Sequence, residues 1–587
     1  MSRRATAGRR GDGEPSGAVT LDGVLPEVRH SGRGVPLQGI VWGLTALILV
    51  LLVTLPMYQL VVASLRTPTG LSLANYTKIL SLPRFQLAML RSLELGLACA
   101  AIGTLIGGSL AWLISQTNLP FRGFTRVCIL GSFVVPGFVN ALSWALLGGP
   151  NAGLLNKVWI MITGADTGFF NIYSMEGLAV VSVATTYPFA FIFLYSAFQS
   201  MDTEMEEAAR VLGATGTRAL FTITLPLALP AMLAGFIMVF LQTIILYGAP
   251  AVIGIPAGIY VITTQIWTLF EYPPQIGLAA ALSLPLLLIT GGLLWLQRRL
   301  IGRRSFATMR GKGGRRQRTD LGRWKWVAAA WALLIVLVTF ILPNGVLVVT
   351  SLMKQAYHGL SIDNLTLDQY RFVLVDYISG IPSIRNSLVT SVVAATLAMA
   401  IALIAAFLSE RRIVRFGSLL AFLAMSPLVI PAMVFAVGLV AAYSTGPVVL
   451  YGTLWIIVLA YLTANLPIAF MNCNTALANV HVELESAARI LGASSLHVLR
   501  DITGPLIKNG LLAGWIIVFS NSMKELSASI LLYTTSTTVI STAIMDVYGA
   551  QNWGAVAALS VILLVISALV VIVGYRLLGG NILNPNS

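Results

Sequence analysis

The chain has 587 residues, 57% of them hydrophobic and 10% charged, with a formal net charge of +15. So apolar a composition excludes an ordinary soluble globule. The basic residues gather in short stretches between apolar runs without interleaved aromatics, which excludes a nucleic-acid surface and fits loops held on the cytoplasmic side of a membrane.

Residues 1–36, rich in Gly, Arg and Ser with no apolar period, read as a disordered basic cytoplasmic tail. The first apolar run after it is too long for the core of a cleaved signal peptide. At roughly 20 residues per crossing, the spacing predicts spans near 38–64, 90–115, 125–149, 176–199, 229–253 and 277–297. A second set follows near 325–350, 386–409, 417–443, 451–475, 508–533 and 554–577. Between the sets, residues 298–325 carry eleven Lys or Arg against one acid, Asp320. Such a segment stays in the cytoplasm, and six crossings then return the chain to the same side, so the two halves run parallel. The resulting units are 37–300, a basic linker 301–324, 325–578 and a tail 579–587, with both termini cytoplasmic. Cys99, Cys128 and Cys473 lie far apart without ligand spacing and indicate neither a disulfide framework nor a zinc site.

The halves repeat. At a shift of 279 residues, Glu206, Ala208, Ala209, Arg210, Leu212, Gly213 and Ala214 meet Glu485, Ala487, Ala488, Arg489, Leu491, Gly492 and Ala493. Upstream the shift is 295, pairing Pro136 with Pro431 and Ser92-Leu93 with Ser387-Leu388, because the first half has a longer external loop. Met205, Ala208, Ala209 and Leu212 recur at helical spacing, as do Leu484, Ala487, Ala488 and Leu491. Glu206 with Arg210, and Glu485 with Arg489, are i,i+4 pairs of the stabilising orientation. Gly213 and Gly492 stop the helix. Thr215 and Ser494 then restart a short one that ends at Pro226 or Pro505. An exposed helix with an alanine face suits the close approach of another backbone. The competing reading, an amphipathic helix on lipid headgroups, asks for a bulky Trp, Phe and Leu face that both copies lack.

The pattern Glu207-Ala208-Ala209, Gly213 and Ile223-Thr224-Leu225-Pro226 resembles the coupling-helix motif of permease subunits of bacterial ATP-binding-cassette importers. The second copy, within 480–505, keeps Ala487, Ala488, Gly492, Ile502 and Pro505 but has Ser486 for the motif's Glu, with Glu485 one residue earlier. The resemblance implies an all-α integral membrane protein. It would have about 12 transmembrane helices as two parallel six-helix repeats, each with a cytoplasmic coupling helix. It implies two copies of an ABC ATPase subunit beneath, an extracytoplasmic solute-binding protein above, and a plasma-membrane location within the lipid bilayer. No G-x-x-x-x-G-K-[ST] loop occurs, so ATP is expected to be used by the partner ATPase, and this chain to be no enzyme and to bind no cofactor or metal. Residues 521–533 and 246–254 further resemble the ferric-iron-type branch, with Leu246 where many relatives place an acid. Polyamine, thiamine and phosphonate systems share that branch. A major-facilitator transporter also has six plus six spans and a long basic central loop. The loop 115–126 lacks that family's signature.

Ionisable residues near the apolar interior are candidates for the pathway: Lys524 and Glu525, with Tyr247 beside the first coupling segment. The alternative for Lys524 and Glu525 is a mutually neutralising pair that only fixes helix packing. Glu94 reads as a local ion pair with Arg91. Pro188 and Pro467, equivalent at the 279 shift, are expected to break the spans leading into each coupling loop and act as hinges.

Overall fold

The computed structural model describes residues 37–68, 70–151, 153–201, 209, 211–213, 215–302, 319–355, 362–411, 416–493 and 497–578. In lipid the backbone must satisfy its own hydrogen bonds, so runs this apolar fold as helices. The first half contains α1 (Gly39–Leu65), α2 (Pro83–Gln116), the shorter α3 (Arg122–Gly131), α4 (Gly137–Gly148) and α5 (Leu154–Thr163). It continues with α6 (Met175–Ser200), α7 (Leu220–Ile244), the short α8 (Ile262–Thr268) and α9 (Ile276–Arg299). The second contains α10 (Trp324–Ser351), α11 (Gly380–Glu410), α12 (Gly417–Val429), α13 (Ala432–Tyr443), α14 (Leu454–Ala478) and α15 (Val482–Ile490). It ends with α16 (Arg500–Met523), α17 (Ile540–Gly549) and α18 (Trp553–Gly574).

Ten of these helices are long and apolar enough to cross a membrane, against the twelve expected. The two missing spans are the third of each half, and both are broken at the same place. Pro136 and Pro431 are extended, with ψ of 140° and 139°, immediately before α4 and α13. The bend between α12 and α13 is 107°. Proline has no N–H to give a continuing helix and disfavours helical backbone in the residue before it, so an apolar run of sufficient length still folds as two pieces.

Other prolines do not interrupt their helices. Pro188 and Pro467 lie inside α6 and α14, which run through them, correcting the expectation of broken spans. Pro226 and Pro505 are likewise not helix ends. Each follows a wide π turn, Leu220–Thr224 or Val498–Thr503, that leads straight into the next span. The same device precedes Pro56 and Pro343, with π turns at Val50–Thr54 and Leu337–Ile341. A π turn shifts the hydrogen-bond register by one residue, which accommodates the donor that proline lacks.

Repeated hydrogen bonds show how far the internal match extends. Ser92 Oγ accepts from Ile262 N at 2.8 Å, and Ser387 Oγ accepts from Ile540 N at 2.7 Å, so the paired serines hold the starts of α8 and α17. The Ser64–Tyr76 hydroxyl pair at 2.6 Å has its counterpart in Ser351–Tyr370 at 2.8 Å, which carries the repeat back to the first helix of each half.

The halves interlock through those first helices: α1 packs on α9 and on α13, while α10 packs on α18 and on α4. At the α1–α13 crossing the backbones touch, since a Cβ on Gly438 would lie 2.7 Å from Pro56 O. Gly438→Val is therefore expected to cost about 1–3 kcal/mol by overpacking and to lower the melting temperature of the purified chain. Gly345→Ala, with nothing within 4 Å of the added methyl, serves as the control that does not lower it.

Candidate functional site

Two matched turns form the first element. Gly213 and Gly492 both take φ of +88°, with no atom within 4 Å of an added Cβ, so the requirement is for left-handed backbone and not for space. Replacing Gly492 by Ala is expected to cost about 1–2 kcal/mol, read as faster amide exchange across α15 with the spans unaffected. Immediately before each glycine stands an exposed apolar pair. Val211 and Leu212 are 88% and 87% exposed, and Ile490 and Leu491 are 86% and 88% exposed. Single exposed apolar residues are ordinary; two matched pairs at equivalent turns are not.

The alanine faces are partly described. Ala209 and Ala488 are half-buried and Ala487 is exposed. Glu206, Glu207, Ala208 and Arg210 lie outside the described residues, as do Ser494 and the side chain of Arg489. Thr215 does restart the helix, its Oγ1 accepting from Arg218 N at 3.4 Å.

Glu485 departs from expectation. Its carboxylate is buried and lies 2.9 Å from the Arg411 guanidinium, the side chains being 3% and 8% exposed, and it also accepts from Thr503 Oγ1 at 3.1 Å. The expected partner was Arg489, one turn along α15. Arg411 closes α11 with its guanidinium enclosed, donating also to Leu477 O at 3.2 Å and Val480 O at 3.1 Å. A buried guanidinium needs a carboxylate to offset its desolvation. Arg411 is a site residue that the sequence did not single out. The available signal was its counterpart at the 295 shift, Gln116, a second polar residue at the same helix end.

A third element lies where the broken spans meet the opposite half. Lys524, directly after α16, donates to Phe133 O in the α3–α4 break at 2.6 Å. Thr290 of α9 donates to Val429 O in the α12–α13 break at 2.9 Å. Irregular backbone at membrane depth persists only where protein or water satisfies it, and here each break is met by a donor from the other half. Glu525 accepts from Ala528 N at 2.9 Å, so each of the two adjacent ionisable side chains also has a backbone partner. Tyr247, the other pathway candidate, is 1% exposed in the hydrophobic core beside Trp267. Arg91 donates to Gly258 O at 3.2 Å, and Glu94 is exposed, which replaces the expected local ion pair. No group of three or more His, Cys, Asp or Glu able to hold a metal ion occurs among the described residues.

A cavity of about 290 Å³ opens between the halves, lined by Asn151, Tyr173, Thr350, Gln551 and Trp553 among others. Tyr173 sits just before α6, whose 26 residues span about 39 Å, so this cavity and the glycine turns occupy opposite ends of the bundle.

The family of binding-protein-dependent transport system inner membrane components matches residues 102–305 and again 398–579. The chain belongs to this family. It is a multi-pass inner-membrane permease carrying the domain twice, and the major-facilitator reading falls. The permease is 26% identical over 478 residues to the ferric transport system permease protein FbpB of Actinobacillus pleuropneumoniae, covering 80% of this chain and 68% of that one. It is 22% identical over 531 residues to the Fe(3+)-transport system permease protein FbpB 2 of Haemophilus influenzae, covering 89% and 96%. A crystal structure of a bacterial alginate ABC transporter bound to its periplasmic protein aligns with 18% identity and a TM-score of 0.39, over 46% of this permease and 96% of that chain.

Proposed function

We propose that this permease forms the translocation pathway of an ATP-driven importer, with one ATPase subunit docked at each glycine turn and a solute-binding protein on the opposite face. The matched apolar pairs Val211-Leu212 and Ile490-Leu491, exposed beside left-handed Gly213 and Gly492, carry this reading. Closure of the paired ATPases draws the two turns together, and the interlocked halves rock open on the far side, where the cavity lies. The turns, the basic linker and both termini then face the cytoplasm, as the Lys and Arg distribution requires. ATP is bound by the partners and this chain holds no cofactor of its own.

The cargo we assign is ferric iron, supported by the two FbpB relatives, which cover most of the chain. The solute meets Lys524 and Glu525 at the broken spans, since paired discontinuous segments in corresponding halves mark the binding region of many transporters. The test is reconstitution of the permease with its ATPase and binding protein in vesicles, measuring uptake of radiolabelled ferric iron and the subunit ratio. ATP-dependent accumulation with two ATPase chains per permease supports the reading. Uptake without the ATPase overturns the mechanism, and ATP-driven uptake of another solute but not iron overturns the cargo alone.

A further inference from the structure

We propose that Arg411 is a positioning residue that joins the second coupling helix to the membrane bundle as one rigid piece. The proposal rests on the permease reading above. The guanidinium closes α11 and reaches the end of α14 through Leu477 O, the following turn through Val480 O, and α15 through Glu485. Thr503, at the entry to α16, completes the group by donating to the same carboxylate oxygen. Four helices therefore meet on one enclosed ion pair, whose charge-assisted and directional hydrogen bonds resist relative movement.

The first half has a different side chain at the equivalent position. Gln116 stands where Arg411 stands, and its Nε2 donates to Phe198 O at 2.7 Å, the carbonyl equivalent to that of Leu477. A neutral amide can thus hold the preceding helix end, but it has no charge with which to hold a carboxylate on the lever. A displacement applied to α15 passes without slack to α11, α14 and α16.

The test uses the full permease–ATPase complex in lipid nanodiscs, with no cargo. Spin labels at exposed Asn151 and Gln551 report opening between the halves as nucleotide is added. Arg411→Gln, which copies the first half, is expected to keep ATP hydrolysis within about threefold of the parent while the nucleotide-dependent distance change falls to less than about a third. Arg411→Glu combined with Glu485→Arg is expected to restore it. A distance change that survives Arg411→Gln at parental size overturns the proposal. So does an assembled charge-swapped complex that stays uncoupled. Should Arg411→Gln fail to assemble, labels at exposed Glu410 and Glu483 in the otherwise unaltered complex decide the matter. A rigid link keeps their distance constant with and without nucleotide, and a shift between them overturns it. Failure of the parental permease to bind any ATPase would instead remove the docking reading, and is seen before a variant is made.

Discussion

Replacing Leu212 and Leu491 together by Asp is expected to abolish co-purification of the ATPase while leaving the permease inserted and folded. Both side chains are almost fully exposed in the isolated chain, so the folded state loses nothing by the change. Burial of a leucine in a complementary cleft is worth about 1.5–3 kcal/mol, and the two together amount to a loss of at least about a hundredfold in affinity. Each single substitution is expected to weaken binding by about tenfold or more, since one turn would remain docked. Affinity of detergent-solubilised permease for immobilised ATPase measures this directly. Double-variant affinity equal to the parent's would remove the docking role of these turns.

Lys524→Met is expected to lower uptake by about tenfold or more without affecting ATPase docking. The ammonium group bonds the carbonyl of Phe133 at 2.6 Å across the joint between the halves. Methionine has a similar length but no donor, so it leaves that carbonyl unsatisfied at a cost of about 1–3 kcal/mol. Lys524→Arg retains charge and donors in a wider, planar head and is expected to fall between the two. Vesicle uptake normalised to ATP hydrolysed separates a pathway effect from a docking effect, because a docking defect reduces both quantities together. Unchanged uptake in Lys524→Met would show that the hydrogen bond only packs the halves.

The repeat was legible in the sequence because it is written in residue identity. Gly213 and Gly492 are needed for left-handed backbone, and Ser92 and Ser387 for the helix starts they hold, so these residues stand out when the two halves are aligned. The apolar runs gave most of the spans for an equally local reason, since hydrocarbon thickness sets a helix length. The count of spans failed at Pro136 and Pro431, where hydropathy stays high while the backbone turns, because hydropathy registers solvent preference and not direction. Proline alone could not resolve this: Pro188 and Pro467 sit in helices that continue, and Pro226 and Pro505 in helices that absorb them through a π turn.

By itself, then, the sequence determined the bilayer as solvent, the twofold repetition and the two glycine turns, all of which depend on composition or on neighbours along the chain. Tertiary structure alone decided partners. Arg411 finds Glu485 from 74 residues away, Lys524 finds Phe133 from 391, and Tyr247 is enclosed in the core. Each of those outcomes depends on which helices the fold brings together, and a buried charge takes the best-placed opposite group in space, not the nearest in sequence.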